Sequence, residues 1–447
     1  MAQTDIASAT QSMVELFSPG RTQLIHMQVE VALARVQARR GIIPMAAAEE
    51  IERTANLDNV SPDMVAAEKL KVGHPMVALL NSWARVTRDG AGEWLHYGAT
   101  SQDIFDTTSV LQTRRAAQLL LDHLRRAEAA MLVLADAHRA TPMIGRTVGR
   151  HALPITFGMK VATWLCENRR NIERLKSWRE RTNVGMLSGA VGSYASLGPD
   201  AFALEAEMLA ELGLGDPWPA NWKGSRDMFA EYGFVLALIA KTWGKIAQEV
   251  FILQGDDIRE LEEPNTNVGS STMPHKQNPW KSRSVMAMAR VVPRQAEILQ
   301  DWMVSIYERD QVSNAETLGE ISVTAGRLVK DAADMVEILV VRPDAMRRNL
   351  DHTRGLIMAE HAMLMLSHRI GKHTAHHEVR LAAKQAWENG TSLVHEMAAR
   401  PGLAGHVAEL DLANALDPTR YVGLSPEVTD RTIAAIRRDR AAEQAAE

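Results

Sequence analysis

The residues best suited to chemistry lie in one run near the middle of the chain, Gly269 to Pro279, which reads Gly-Ser-Ser-Thr-Met-Pro-His-Lys-Gln-Asn-Pro. Its glycine, serines and prolines interrupt any helix or strand, so the run is predicted to be a loop. Successive backbone N–H groups around Gly269 and Ser270 can form a concavity that binds an anion, and Lys276 adds a positive charge nearby. We call residues 269–279 the GS loop and expect it to hold a negatively charged group.

A second polar run, His96 to Thr107, precedes a long stretch without glycine or proline. Thr100 and Ser101 are suited to the start of a helix, where a hydroxyl caps the chain and the unpaired N–H groups attract anions. Helix capping alone explains this run when it is considered by itself.

The two runs together resemble the fumarase/aspartase superfamily of lyases. The GS loop matches every specified letter of the superfamily pattern G-S-S-x-M-P-x-K-x-N-P. The sequence G-A-T-S-Q-D-I at 98–104 is similar to the branch that contains adenylosuccinate lyase and 3-carboxy-cis,cis-muconate cycloisomerase. Such matches extend over roughly residues 20–380, most of the chain.

Residues 145–158, G-R-T-V-G-R-H-A-L-P-I-T-F-G, resemble the branch's G-R-T-H-x-Q-x-A-x-P-x-T-F-G but depart from it twice. Val148 replaces the general-acid histidine of adenylosuccinate lyases and fumarases, and Arg150 replaces a glutamine that touches substrate. His151 stands where cycloisomerase-like members carry a histidine. Arg150 can grip a carboxylate through two hydrogen bonds, which suggests a substrate with an extra anionic group. An internal ion pair of Arg150 is the alternative.

Two further runs resemble the branch. Arg226, in Ser-Arg-Asp-Met, matches an R-D pair of the family. The arginine of this pair either binds the substrate or makes a structural contact with an aspartate. Arg309 belongs to a run at 307–317 that is similar to the E-R-D segment of adenylosuccinate lyases. That run is one residue shorter here and ends in Thr317, where those enzymes have an arginine that helps to bind the nucleotide phosphate. The missing cation disfavours a nucleotide substrate.

The resemblance implies that Ser270 removes the proton next to a substrate carboxylate and that donors stabilise the resulting aci-carboxylate dianion. A serine hydroxyl is a weak base near neutral pH, so clustered N–H groups and Lys276 must lower its pKa. Because Val148 cannot supply a proton, His151, His74 or His96 protonates the leaving group, or the group departs unaided.

The predicted catalytic residues are Ser270 and His151. The predicted substrate-binding residues are His74, His96, Thr100, Ser101, Thr147, Arg150, Arg226, Ser271, Met273, Lys276, Asn278 and Arg309.

Helical periodicity dominates the chain, because apolar residues recur at steps of three and four while alternating β-branched residues are nearly absent. Long helices are predicted within 21–40, 98–142, 229–261 and 280–307, the last kinked or restarted at Pro293. Shorter helices and a frayed end at 431–447 are predicted after Pro401.

The wide apolar faces of such helices need partners. We therefore predict an all-α, three-domain lyase whose central long-helix bundle assembles into a tetramer core. The predicted domains are residues 1–105, 106–354 and 355–447. The resemblance also implies a homotetramer in which each active site draws on three subunits.

Composition narrows the function classes. Hydrophobic residues make up 46% and charged residues 23%, the net charge is -5 and the pI is near 6.3, which argues against a nucleic-acid partner. A single cysteine, Cys166, excludes an internal disulfide and suits the cytoplasm. We expect no secretory signal, no membrane span and no cofactor. His373, His376 and His377 have helical spacing but no carboxylate-rich surroundings, so we expect no metal site.

Three functions remain open. The first is a lyase that splits a substituted succinate, with nitrogen substitution favoured, into fumarate and a leaving group. The second is a cycloisomerase of the carboxymuconate type, which uses the same enolate chemistry on a lactone. The third is a catalytically inactive structural relative, which intact Ser270, Lys276 and Asn278 disfavour. A small di- or tricarboxylate is the expected substrate.

Overall fold

The structure is a computed structural model that describes residues 13–264, 269–310, 315–408 and 412–446. Helices dominate it, which confirms the all-α prediction. The α-helices are α1 (Pro19–Arg39), α2 (Met45–Thr54), α3 (Pro62–Val72), α4 (Pro75–Ala84), α5 (Ser101–Ala137), α6 (Phe157–Arg181), α7 (Ala201–Glu211), α8 (Asp227–Leu253), α9 (Lys281–Asp301), α10 (Ala315–Ile338), α11 (Pro343–Asp351), α12 (Ala359–Ile370), α13 (Lys372–Asn389), α14 (Leu393–Ala399), α15 (Pro401–Ala408), α16 (Leu412–Ala415) and α17 (Ser425–Ala446). Short 3-10 helices span Ala91–Trp94, Leu356–Met358 and Pro418–Arg420.

Two short antiparallel strand pairs complete the described structure. Strand β1 (Pro142–Thr147) pairs with β2 (Arg150–Thr156), and β3 (Leu261–Glu262) pairs with β4 (Val340–Val341). The sequence analysis anticipated neither pair. The first pair is a hairpin over residues 142–156, so most of the run 145–158 is held by a strand ladder and not by a helix.

The chain divides into two compact units, each built from separate stretches. The first unit contains residues 1–124, 171–244 and 287–330, and the second contains 125–170, 245–286 and 331–447. Each of the long helices α5, α6, α8, α9 and α10 contributes a segment to both units. The three consecutive domains with boundaries at 105 and 354 stay a prediction.

Local sequence sets the helix starts of the first unit. Ser18 precedes Pro19 at the start of α1, and Ser61 precedes Pro62 at the start of α3. Each serine Oγ accepts a hydrogen bond from the backbone N–H three residues later, at 3.3 and 3.2 Å. Serine at the cap and proline at the first helical position both favour a helix start. A core that includes Met27, Ile51 and Trp83 then packs these helices together.

The long-helix predictions are confirmed with corrected ends. Helix α5 lies within 98–142, and α9 continues through Pro293 without a restart. Helix α8 ends at Leu253, not at Leu261 as predicted, because the chain turns near Gly255 and Leu261 pairs with Val341 of β4.

The prediction of a frayed end at 431–447 is wrong for the described residues, because α17 continues to Ala446. Ile433 and Ile436 are buried on one face of this helix. Near its end, Glu443 accepts a hydrogen bond from Arg169 at 2.8 Å. These contacts lie within the second unit and hold the helix in place.

The second unit has its own apolar core, which includes Leu366, Leu393, Met397 and Leu403 of helices α12 to α15. Ile144 of β1 belongs to the same core, so the hairpin is fixed at its base. None of the described helices is both long enough and apolar enough to cross a membrane.

Candidate active site

Ser270 receives hydrogen bonds from the loop that carries it. Its Oγ accepts from the backbone N–H of Met273 at 3.0 Å and lies 3.3 Å from that of Thr272. The side chain is half-buried. Two N–H donors on one hydroxyl oxygen favour its negatively charged form over its neutral form.

The neck of the GS loop is closed by Gly269 and Asn278. The Asn278 side-chain amide donates to the Gly269 carbonyl oxygen. A Cβ at residue 269 would overlap the Lys276 carbonyl oxygen and lie 3.0 Å from the Asn278 nitrogen, so only glycine permits this close approach. Asn278, predicted to bind substrate, therefore shapes the loop in this structure.

The outer part of the loop is exposed. Ser271, Met273 and Lys276 all face solvent in the single chain. Lys276 and Asn278 line a cavity of about 1010 Å³ together with Arg348. Among the described residues, no carboxylate lies within ion-pair distance of Lys276 or Arg348. Acidic side chains also line the cavity, so its wall carries both positive and negative charges.

The tip of the β1–β2 hairpin presents the two residues that depart from the family pattern. Thr147 pairs with Arg150 across a turn formed by Val148 and Gly149, which have φ angles of 49° and 72°. Positive φ is rare for a β-branched residue, and the Val148 side chain is fully exposed. Arg150 is also exposed, and within the described part of the chain it has no ion-pair partner. The proposed internal ion pair is thus not found there.

His151 follows on the same hairpin and is half-buried. Its Nδ1 is buried without a hydrogen-bond partner in the described residues, and its ring centroid lies 5.6 Å from that of His352. Burial lowers the pKa of His151, and the positive charge of Arg146 and the His352 ring lower it further, while Glu260 opposes them. Ser270, Arg150 and His151 all belong to the second unit.

Arg146 and Glu260 support this part of the hairpin. The Arg146 guanidinium donates to both Glu260 carboxylate oxygens, at 2.9 and 2.7 Å. Asn349 donates to the same fully buried carboxylate at 2.8 Å. A paired buried carboxylate is held rigidly, so the position opposite His151 in the ladder is fixed. The sequence analysis missed Glu260 because nothing in its local pattern indicates a buried ion pair.

His96 and His74 have structural partners in the first unit. His96 Nδ1 lies 2.6 Å from Oε1 of the buried Glu30, and the His96 N–H donates to Oε2 at 3.2 Å. Burial alone would lower the pKa of His96, but the Glu30 carboxylate outweighs it and raises the pKa. His74 caps α4, where its Nδ1 accepts from the Val77 N–H at 3.4 Å.

Thr100 and Ser101 begin α5, as predicted, and Asp103 anchors this helix start. The Asp103 carboxylate accepts from the backbone N–H of Thr100 at 3.0 Å, and Lys223 Nζ lies 2.7 Å from it. Both charged side chains are fully buried. Backbone N–H groups of Ser188 and Gly189 also donate to Asp103, each at 3.1 Å. The sequence run contained Asp103, but no local signal pointed to Lys223, which is 120 residues away.

Arg226 and Arg309 lie in the same unit as Thr100. Arg226 is buried and donates to Asp106 at 2.8 Å, which is the structural contact considered above, made with Asp106 instead of Asp227. Arg309 Nη1 lies 3.5 Å from Thr100 Oγ1, at the limit of a hydrogen bond. Residues 311–314 of its run lie outside the described residues.

The predicted site residues thus form two groups within the chain. Six belong to the first unit: His74, His96, Thr100, Ser101, Arg226 and Arg309. Eight belong to the second unit: Thr147, Arg150, His151, Ser270, Ser271, Met273, Lys276 and Asn278. No cluster of three or more His, Cys, Asp or Glu side chains suited to a metal occurs in the described ranges.

Comparison with known proteins decides the family. A family model described as "Lyase" matches residues 7–293, and one described as "Adenylosuccinate lyase C-terminus" matches residues 355–432. The chain belongs to the fumarase/aspartase superfamily of lyases. This confirms the resemblance stated from the motifs.

Several superfamily relatives are similar over nearly their whole length. Adenylosuccinate lyase of Methanocaldococcus jannaschii is 36% identical over 91% of this chain and 90% of its own. N-acetyl-S-(2-succino)cysteine lyase of Enterococcus italicus is 35% identical over 92% and 90%. The crystal structure of the 3-carboxy-cis,cis-muconate lactonizing enzyme from Pseudomonas putida has a TM-score of 0.89 at 32% identity, covering 96% of this chain and 97% of that one. These relatives have different activities by name, so the similarity shows the superfamily and not the substrate.

Proposed function

We propose that this enzyme eliminates fumarate from a substituted succinate, with nitrogen substitution favoured, by removing the proton next to a carboxylate. The observation that carries the proposal is the pair of backbone N–H groups, from Met273 and Thr272, directed at Ser270 Oγ. They stabilise a serine alkoxide, which is the form that can act as a base.

The proton passes from the substrate carbon to Ser270 Oγ, and the electron pair of the broken C–H bond moves into the adjacent carboxylate. The resulting aci-carboxylate carries two negative charges, which Lys276 and nearby N–H groups stabilise. The electron pair then returns to form the C=C bond of fumarate as the bond to the leaving group breaks. Closure of the exposed GS loop over the substrate strengthens each of these interactions by excluding water.

We propose His151 as the donor of the proton to the leaving group. Its Nδ1 has no partner among the described residues, whereas His96 is held by Glu30 and His74 caps a helix. The carbon–leaving-group bond breaks, and the leaving atom takes the proton of His151. Ser270 then releases to solvent the proton that it accepted, and the neutral His151 takes up a proton from solvent, so both residues return to their starting forms.

A compact di- or tricarboxylate fits the charged residues better than a nucleotide. Thr317, in place of the phosphate-binding arginine, is buried. Arg150 is exposed and unpaired within the described residues, so it is available for an additional substrate carboxylate. Because one relative acts on a succinylated cysteine, sulfur-substituted succinates belong among the candidates.

A cycloisomerase of the carboxymuconate type is the second candidate function. Val148 and His151 agree with that side of the branch, and the lactonizing enzyme from Pseudomonas putida has a similar fold. The same base and the same enolate stabilisation would serve a lactone. The intact Ser270, Lys276 and Asn278 disfavour an inactive relative.

We also propose that the enzyme is a cytoplasmic homotetramer whose sites combine residues of three subunits. Large apolar side chains on the long helices support assembly, because Phe234 and Leu238 of α8 and Val291 and Ile298 of α9 are each about half exposed in the single chain. Such faces are covered in helical bundles.

A substrate panel tests the proposal by ultraviolet absorbance and direct measurement of fumarate. The panel contains adenylosuccinate, N-succinyl amino acids, N-acetyl-S-(2-succino)cysteine and 3-carboxy-cis,cis-muconate. We expect fumarate release from a succinylated amine or thiol, and loss of about 10²–10⁴-fold in kcat for Ser270→Ala. Ser367→Ala, on the surface of α12, is the matched control and should retain activity.

Lactone formation from carboxymuconate without fumarate release would favour the cycloisomerase. No turnover of any compound, with wild type equal to Ser270→Ala, would favour the inactive relative.

A further inference from the structure

The base of the connection that carries Ser270 is closed by one buried carboxylate. Glu263 follows β3, before the GS loop, and is 4% exposed. Its Oε2 accepts from the backbone N–H groups of Lys281 and Ser282 at 3.0 and 3.2 Å. Lys281 and Ser282 are the first residues of α9, after the loop. The same carboxylate therefore joins the end of β3 to the start of α9.

Gln254 stabilises this contact between Glu263 and the start of α9. Its side-chain oxygen accepts from the Glu263 N–H at 3.3 Å, and its amide donates to Glu263 Oε1 at 2.9 Å. The same amide lies 3.3 Å from Ser282 Oγ. One hydrogen-bonded cluster thus contains Gln254, which follows α8, Glu263, which follows β3, and Ser282 at the start of α9.

The side chain of Lys281 anchors the far end independently. Its Nζ lies 2.7 Å from Asp331 and 2.6 Å from Asp334 of α10. Ser284 Oγ donates to the same Asp331 at 2.8 Å. All of these residues belong to the second unit, so the start of α9 is a fixed reference point within it.

We propose that Glu263 is a positioning residue for the reaction. By holding the end of β3 against the start of α9, it fixes the point at which the GS loop leads into α9 and so sets where Ser270 lies when the loop closes. The carboxylate is stabilised at this point by N–H groups at the start of α9 that have no partner within the helix itself. The proposal rests on the proposed role of Ser270, because Glu263 acts through the position of that residue.

Glu263→Gln tests this role with little change in shape. The glutamine amide places N–H groups opposite the N–H groups of Lys281 or Ser282, so part of the closure is lost. We expect kcat to fall about 10–100-fold, since small misplacements of a reacting group cost rates of this order. KM and the calorimetric affinity for fumarate should change less than about twofold, because the role proposed for Glu263 acts through the position of Ser270 and not through a contact with substrate.

Hydrogen exchange gives a readout that does not depend on turnover. In Glu263→Gln, peptides containing Lys281 and Ser282 should exchange faster by mass spectrometry, while the melting temperature stays near that of wild type. Glu388→Gln is the matched control, since Glu388 of α13 is exposed, belongs to the same unit and pairs with Lys384 of its own helix. That control should keep wild-type kcat and exchange.

A wild-type kcat in Glu263→Gln, unchanged exchange at the start of α9, or a melting temperature that falls in step with kcat would each overturn the proposal. If Glu263→Gln does not fold, Gln254→Ala removes the hydrogen bonds between Gln254 and Glu263 instead. The same results are expected of it, and the same contrary results would overturn the proposal. If Ser270→Ala leaves turnover intact, the proposed base is wrong, while the exchange result still reports whether Glu263 closes the loop.

Discussion

Single residues set the chemistry, and we propose that Arg150 recognises an additional negative charge on the substrate. Its guanidinium is exposed at the hairpin tip and has no ion-pair partner in the described part of the chain. Bidentate recognition of a carboxylate needs such a free planar cation. We therefore assign Arg150 to binding and not to proton transfer.

Arg150→Gln should raise KM about tenfold or more while kcat changes little, because the lost contact holds substrate and transition state equally. Steady-state kinetics on the compound identified in the panel measure both values. Arg431→Gln, an exposed arginine of α17, is the control. An unchanged KM for Arg150→Gln would remove Arg150 from the site.

If His151 donates the proton, the reaction rate should fall as the pH rises. A proton donor must be protonated in the free enzyme, and burial together with Arg146 and His352 places the pKa of His151 below its ordinary value of 6.5. Activity that depends on the protonated form is present at low pH and is lost as pH rises through that lowered pKa. Glu260 limits the shift.

The profile of log kcat/KM against pH should therefore fall with rising pH below neutrality in wild type, and this limb should vanish in His151→Asn. His368→Asn, an exposed histidine at the end of α12, should keep it. A limb that persists unchanged in His151→Asn would assign the proton donor elsewhere.

At the scale of elements, the GS loop depends on the absence of a side chain at Gly269. A methyl group there would overlap the Lys276 carbonyl oxygen, and that backbone atom can move only if the neck opens. The loop is exposed, so its distortion has little effect on the packed core.

Gly269→Ala should abolish most turnover while the melting temperature changes by no more than a few degrees. Gly405→Ala is the control, since a Cβ at that position of α15 meets nothing within 4 Å. Activity assays and thermal unfolding on the two variants check this. Wild-type activity in Gly269→Ala would show that the closed neck is not needed.

Helical elements were predictable because their signal is local. The stretch without glycine or proline, with apolar residues at helical steps, indicated α5 with only a few residues of error at each end. The β1–β2 hairpin was missed because Val148-Gly149 lacks the Asn-Gly or Asp-Gly pair that usually announces such a turn. The order of α17 beyond residue 431 was missed because few large apolar residues interrupt its charged sequence, and its anchor Arg169 is far away in the chain.

The residues of the candidate site were predictable where they belong to short sequence motifs. Ser270, Lys276 and Thr100 could be named from short patterns, because the resemblance is position by position. The partners that hold them could not, since Lys223 and Glu263 are joined to their contacts by the fold and not by sequence spacing. A buried charge looks like a surface charge in a one-dimensional sequence.

At the scale of the whole molecule, assembly should be required for activity. Leu238 lies on the partly exposed apolar face of α8, and an arginine there would place a charge inside the proposed bundle. Leu238→Arg should lower the mass measured by light scattering and reduce turnover, with the helical circular dichroism signal retained.

Leu70→Arg is the matched control, because Leu70 of α3 is 91% exposed in the single chain and the proposed bundle does not include α3. It should keep both the mass and the activity of wild type. A monomeric wild-type protein with full activity would contradict the shared-site proposal.

The most direct measurement is a crystal structure of the enzyme with a bound succinate analogue that resists elimination. We predict that, with the GS loop closed, Ser270 Oγ lies about 3–3.5 Å from the carbon that carries the acidic proton, with Lys276 near the adjacent carboxylate. A closed loop that leaves Ser270 well away from that carbon, with another side chain in its place, would contradict the account.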